Sequence, residues 1–142
     1  MRAIAVPLTL ISLQDEGFHL LAEVVLFGLR LFAVVDTGAS RSVFDTSFIQ
    51  TYIPGLDLAE ENQATTLFST SGTSLATIPV LKIGRLIIRN YGVVALDLTT
   101  INQAYLGLGH PQIIGILGSD LLLKYRAVID YKKLKLYLYC QD

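Results

Sequence analysis

The stretch LFAVVDTGASRSVF, residues 31–44, decides how the rest of the chain is read. Leu31 to Val35 form an apolar, partly β-branched run that reads as a buried strand and drives straight into Asp36-Thr37-Gly38. A carboxylate at the end of a buried strand is costly unless it has hydrogen-bond partners or a chemical task. In an Asp-Thr-Gly turn the backbone N–H groups can hold the carboxylate. Gly38 lets the chain pass close to it, and the Thr37 hydroxyl can fasten the turn. Alone, the tripeptide is an Asx-turn that merely ends a strand. Its setting argues for more: an apolar strand precedes it, and a second apolar-glycine element, Ile116-Leu117-Gly118, follows about 80 residues later.

Outward from this turn the chain reads as short strands punctuated by Gly, Asp and Asn. IAVPLTLI (4–11) is a first strand and Gln14–Gly17 a turn; HLLAEVVLFGLRLFAVV (19–35) is a hairpin turning near Phe27-Gly28. SRSVFDTSFIQTY (40–52) carries too many β-branched and hydroxyl residues for a full helix, so a short strand and then a turn or brief helix are expected. QATTLFSTSGTSLATIPVLKI (63–83) reads as a long hairpin with its tip at Thr70–Thr73, and GRLIIRNYGVVALDL (84–98) as one or two more strands. TTINQAYLGLG (99–109) is a short helix capped by Thr99 or Thr100 and ended by Gly107 or Gly109. IIGILGSDLLLKYR (113–126) is a strand, a glycine turn and a helix from about Ser119, with Asp120 as a helix-capping charge. AVIDYKKLKLYLY (127–139) closes the chain as a hairpin turning at Tyr131-Lys132. The sum is a mainly β single domain over residues 1–142 with one or two short helices.

Composition narrows the function classes. The 142 residues are 52% hydrophobic and 16% charged, enough apolar content for a real core and some excess that favours an oligomer. The apolar stretches are cut by Glu23, Arg30 and Asp36, short of the roughly 20 residues a membrane helix needs. The N-terminus lacks a small-residue cleavage site, so neither a membrane span nor a signal peptide is read there. A net charge of −1 gives no reason to expect nucleic acid, and Lys124, Arg126, Lys132, Lys133 and Lys135 read as a solvated face. One cysteine, Cys140, and two histidines, His19 and His110, argue against a zinc site. The free thiol suits a reducing compartment, so a cytoplasmic protein without metal or cofactor is expected.

Three segments, in order, carry a resemblance. VVDTGAS, then FSTSGTSLATI, then GILGSDLLLKYRAVIDY resemble the retropepsin family of aspartic proteases, over roughly residues 20–139. The last segment looks most like the family's bacterial branch. The resemblance implies a closed, barrel-like fold equivalent to half of a pepsin-type enzyme. It also implies an aspartic endopeptidase that needs no metal, with a peptide or protein as substrate. Pepsin-like chains carry two Asp-Thr/Ser-Gly turns, and here Asp45, Asp57, Asp97, Asp120 and Asp130 start no second one. A homodimer is therefore implied, with Asp36 of each copy facing the other. By position Thr37 would grip across the dimer, Gly38 would contact substrate backbone, and Ala39 completes the turn. Ser71, Gly72 and Thr73 would form a substrate-covering flap; Ile116, Leu117 and Gly118 would support the catalytic turn. Arg41 lies where family members line substrate pockets, and suits an acidic substrate side chain.

Two rivals stand beside this reading. A silent retropepsin-like module would dimerise or bind peptides without cleaving them; the intact Asp36-Thr37-Gly38 counts against it. A phosphoryl-accepting Asp36 is set aside, because Thr37 and Gly38 stand where the resembling families carry Lys or a second Asp. His19 and His110 lack catalytic or metal spacing, and Gly107-Leu108-Gly109-His110 lacks the context of a dinucleotide loop.

Overall fold

A computed structural model describes residues 1–53, 59–60 and 74–141. Its strands are β1 (Arg2–Ser12), β2 (Phe18–Leu26), β3 (Leu29–Val35), β4 (Val43–Asp45), β5 (Ala59–Glu60), β6 (Ser74–Ile83), β7 (Leu86–Leu96), β8 (Ile113–Leu117), β9 (Val128–Asp130) and β10 (Lys135–Cys140). Three short helices join them: α1 (Thr46–Tyr52), α2 (Thr99–Gly107) and α3 (Ser119–Lys124).

The sequence β2-β3-β8-β4-β7-β6 runs round a ring that closes where Val25 and Leu26 of β2 pair with Lys82 and Leu81 of β6. Closure explains the near-continuous apolar runs. Along β2, Leu20, Ala22, Val24 and Leu26 enter the main core, while Leu21 enters a second cluster with Ile11, Val34, Leu98, Tyr105 and Ile113. A strand buried on both faces loses the apolar–polar alternation of a one-sided sheet. The β2–β3 hairpin turns through Phe27 (φ +51°) and Gly28 (φ +78°), both left-handed as a two-residue primed turn requires. Phe27 accepts that conformation with its ring stacked on Tyr52 at 5.0 Å between centroids and packed beside Phe48.

Local rules account for most departures from the sequence reading. The turn or brief helix after β4 is the helix α1, because Asp45 takes its N-cap and accepts from the Phe48 N–H at 3.2 Å. In α2 neither threonine caps. Asp97 accepts from the Thr99 N–H (2.9 Å) and hydroxyl (2.6 Å), bonds that hold its carboxyl below the usual range. Gly109, at φ +78°, ends that helix, with the His110 N–H reaching the Tyr105 carbonyl at 2.9 Å and the Gly109 N–H that of Leu106. Residues 84–98 give the single strand β7, hairpinned to β6 around Gly84.

β5 pairs antiparallel with the start of β6, Glu60 opposite Ser74, as the arms of a hairpin would. The expected tip, Ser71, Gly72 and Thr73, lies outside the described residues. The alternating LKLYLY stretch (134–139) is not a free sheet edge. β10 lies between β1 (Arg2–Pro7) and β9, and beyond β9 the Tyr139 N–H donates to the Tyr125 carbonyl at 2.7 Å. The turn after Asp130 folds β9 back along it.

Candidate active site

β3 and β8 run parallel, Val34 opposite Ile116 and Val35 opposite Leu117, so Asp36 emerges beside the start of the Gly118 bend. The Asp36 N–H donates to the Leu117 carbonyl at 3.0 Å, which holds the residue in line with its strand. The Gly38 N–H then donates to Asp36 Oδ1 at 2.9 Å, and the Ala39 N–H to the Asp36 carbonyl at 3.2 Å. A Cβ on Gly38 would stand 3.2 Å from Oδ1, so glycine lets the turn wrap closely round the carboxylate. Asp36, Thr37 and Gly38 are solvent-exposed, and Ala39 is half-buried. Backbone N–H groups close this turn: among the described residues the Thr37 hydroxyl makes no hydrogen bond within the chain.

Leu117 and Gly118 contact the turn, while Ile116 pairs with Val34 and Val43 in the strands on either side. Leu117 is fully buried in the main core and Ile116 packs on the second cluster. Gly118 is required by space: a Cβ there would lie 2.7 Å from the Arg41 carbonyl and 2.8 Å from that of Ala39. The Ser119 N–H donates to the Ala39 carbonyl at 2.7 Å, tying the first residue of α3 to the turn.

Beneath these contacts sits a polar group that the sequence reading missed. Ser42, fully buried, accepts from the Gly118 N–H at 3.0 Å and donates to Asp120 Oδ1 at 2.8 Å. The other oxygen, Oδ2, accepts from the Tyr91 hydroxyl at 2.9 Å. Asp120 therefore does not cap α3 with its side chain; it lies in the first turn, but its oxygens are taken by Ser42 and Tyr91. Burial, and then the bond to Asp120, push the Tyr91 phenol pKa up, so it remains a donor. Nothing local marks Ser42 or Tyr91, since their bonds to Asp120 span 78 and 29 residues of sequence.

Tyr105 of α2, buried, is within electrostatic reach of Asp36. Its hydroxyl lies 2.5 Å from His19 Nδ1, and burial first, then the charge of Asp36, push its pKa up to about 12. His110 has a structural partner too, with Nε2 2.6 Å from the Ser12 carbonyl. The Arg41 side chain is exposed, while its backbone packs on Gly118. A cavity of about 410 Å³ lined by Asp45, Ser47, Asn102, Leu106 and His110 excludes Asp36 from its walls. The Asp45 carboxylate in that cavity is already engaged, accepting from the Phe48 and Leu98 N–H groups. Among the described residues no three His, Cys, Asp or Glu side chains gather as metal ligands.

A closed barrel with a strand-borne Asp-Thr-Gly turn braced by an apolar-apolar-Gly bend defines the retropepsin-like class of folds. The chain superimposes on the crystal structure of a retropepsin-like aspartic protease from Rickettsia conorii with a TM-score of 0.58, at 20% identity, covering 99% of this chain and 94% of that one. It also superimposes on the retroviral protease-like domain of Ddi1 from Leishmania major, with a TM-score of 0.52 at 14% identity, covering 79% and 81%. The aspartyl protease family model matches residues 22–121, from β2 to the start of α3, and the chain belongs to that family. No curated protein matches it significantly.

Proposed function

We propose that the protein is an aspartic endopeptidase whose catalytic pair is Asp36 from each of two copies. The observation that carries this reading is the state of the Asp36 carboxylate. It is exposed at the end of a rigid strand, and among the described residues its only hydrogen-bond donor is the Gly38 N–H. An ionised carboxylate has about four acceptor sites, so most of its capacity faces outward. One such group cannot both activate a water and protonate a carbonyl. Two of them, juxtaposed across a two-fold axis, share a proton because like charges at close range do not both ionise.

The ionised member takes a proton from the attacking water as its oxygen bonds to the scissile carbonyl carbon. The protonated member gives its proton to the carbonyl oxygen. As the resulting diol collapses, one hydroxyl returns a proton to the carboxylate that gave one, the C–N bond breaks, and the amine leaves with the proton first taken from water. Thr37, whose hydroxyl has no hydrogen bond among the described residues, would grip the facing copy, and Gly38 would offer backbone to the substrate. Ser71, Gly72 and Thr73 would cover the cleft, and Arg41 would favour an acidic substrate side chain.

The test is dilution. Specific activity on a mixed peptide pool should fall once the chain is below its dimer dissociation constant, in step with light scattering. Adding excess Asp36→Asn chains to wild type should also poison activity through one-carboxylate heterodimers. Constant activity from a monomer would sink the proposal. No cleavage at any concentration would leave the silent, peptide-binding module as the better reading.

A further inference from the structure

The hydrogen bonds under the Asp36 turn form one continuous line. The Gly118 N–H donates to Ser42 Oγ, the Ser42 hydroxyl donates to one oxygen of Asp120, and the Tyr91 hydroxyl donates to the other. Four separate pieces of chain are joined: the β8–α3 bend, the return from the Asp36 turn into β4, the first turn of α3, and β7. Ser42 is also held through its backbone, its carbonyl accepting from the Val94 N–H of β7 at 3.0 Å. Tyr91 faces Ile78 on β6, the strand that leaves the segment expected to fold over the site.

A core of this size could fill the same space with apolar residues, and a polar network inside it is costly unless every member is satisfied. Here every member is: no described buried side-chain nitrogen or oxygen lacks a partner. What such a network supplies beyond packing is direction. An apolar contact tolerates sliding, whereas a hydrogen bond fixes distance and angle. The line ends at Gly118, whose neighbour Leu117 receives the Asp36 N–H and whose α-carbon is pressed against the Arg41 and Ala39 carbonyls. Any shift of Ser42 or Asp120 is therefore passed to the strand end that carries Asp36.

We infer that Ser42, Asp120 and Tyr91 are positioning residues that fix where the Asp36 carboxylate stands, with the Tyr91 hydroxyl as the outer anchor. The inference rests on the proteolytic reading above and adds residues that never touch substrate. Its competitor is a purely stabilising network. Tyr91→Phe separates the two, because it deletes one oxygen and leaves the ring packed near Lys124, whose Nζ lies 5.6 Å from the ring centroid.

The experiment joins peptide-cleavage kinetics to residue-resolved amide exchange on the full chain. In Tyr91→Phe, kcat should fall on the order of tenfold while KM moves by less than about twofold, since misplacing a reacting group costs rate more than binding. Exchange protection at the Gly118 and Ser119 amides should fall by a comparable factor, with β1–β2 amides unchanged. Asp120→Asn keeps an acceptor for Ser42 and a polar partner for Tyr91, so it should retain most of the wild-type rate; Asp120→Ala should not. Wild-type kcat in Tyr91→Phe overturns the inference. So does protection lost equally along the whole chain, which marks a stability effect alone. If the wild type cleaves nothing, the proteolytic reading falls, while exchange at Gly118 and Ser119 still decides whether the line holds the turn.

Discussion

Asp36 and Asp120 are two carboxylates on adjoining segments, and their surroundings are opposites. Asp120 is half-buried and gives one oxygen to Ser42 and the other to Tyr91. Asp36 is exposed and, among the described residues, receives one N–H, from Gly38. A carboxylate whose own chain uses both oxygens is structural, whatever sequence surrounds it. A carboxylate held in place but left open is available to something outside the chain. The contrast sorts the acidic residues by role more sharply than the Asp-Thr-Gly tripeptide does.

The largest effect should come from closing the open one. Asp36→Asn keeps an oxygen for the Gly38 N–H but cannot act as a base, so peptide cleavage should drop by about 10³-fold or more. Its melting temperature should barely move, as expected for an exposed site. Asp120→Ala should do the reverse to stability, costing about 2 kcal/mol in urea titration because Ser42 and Tyr91 are left without an acceptor. If the two variants behave alike in the melt, the contrast between the carboxylates is wrong.

Gly118→Ala probes the contact that joins the two regions. The added methyl meets backbone at 2.7 and 2.8 Å, and backbone cannot rotate away as a side chain could. A loss of about 3 kcal/mol in denaturant midpoint is expected; a midpoint equal to wild type would mean that the bend and the turn are not pressed together.

Alkali should loosen the fold. Tyr91, Tyr105 and Tyr125 all have raised pKa values, each chiefly through burial, and that of Tyr105 stands at about 12. The folded state holds these phenolic protons more tightly than the unfolded chain, whose tyrosines titrate near 10. The contribution of Tyr105 is therefore fully present below about pH 10 and lost as the pH climbs through about 12. Those of Tyr91 and Tyr125 are lost as the pH climbs through their raised values. Urea midpoints at pH 8 and pH 11 should show the drop, and Tyr105→Phe should shrink it.

The smallest effect concerns Ala39, half-buried beside the turn. A hydroxyl placed there can donate to the carboxylate, so Ala39→Ser should move the acid limb of the cleavage profile to lower pH by up to about one unit. An unmoved limb would place the new hydroxyl out of reach.

What could be read from the sequence was local. The Phe27-Gly28 turn, the strand into Asp36, the glycine at 118 and the helix after it all depend on a few adjacent residues. Two things were invisible for the same physical reason, that they are made by distant parts of the chain. LKLYLY reveals which side chains alternate between faces but not that β9 and β1 flank the strand. Asp120 looked like a cap for its position in α3; only the folded chain supplies the Ser42 and Tyr91 hydroxyls that claim it. A local detail was misjudged as well: ahead of α2 it is Asp97, and neither threonine, that accepts from the chain, because a carboxylate accepts more strongly than a hydroxyl.

The ladder between β1 and β10 has one further consequence. Arg2 lies opposite Cys140 and Pro7 opposite Lys135, so the two strands begin and finish at the same corner of the molecule. A pull applied between those ends runs across the hydrogen bonds and loads a single residue pair at a time. The strands peel like a zipper, each pair giving way before the next feels force, and the ring of strands that holds Asp36 is loaded only after the last pair has parted.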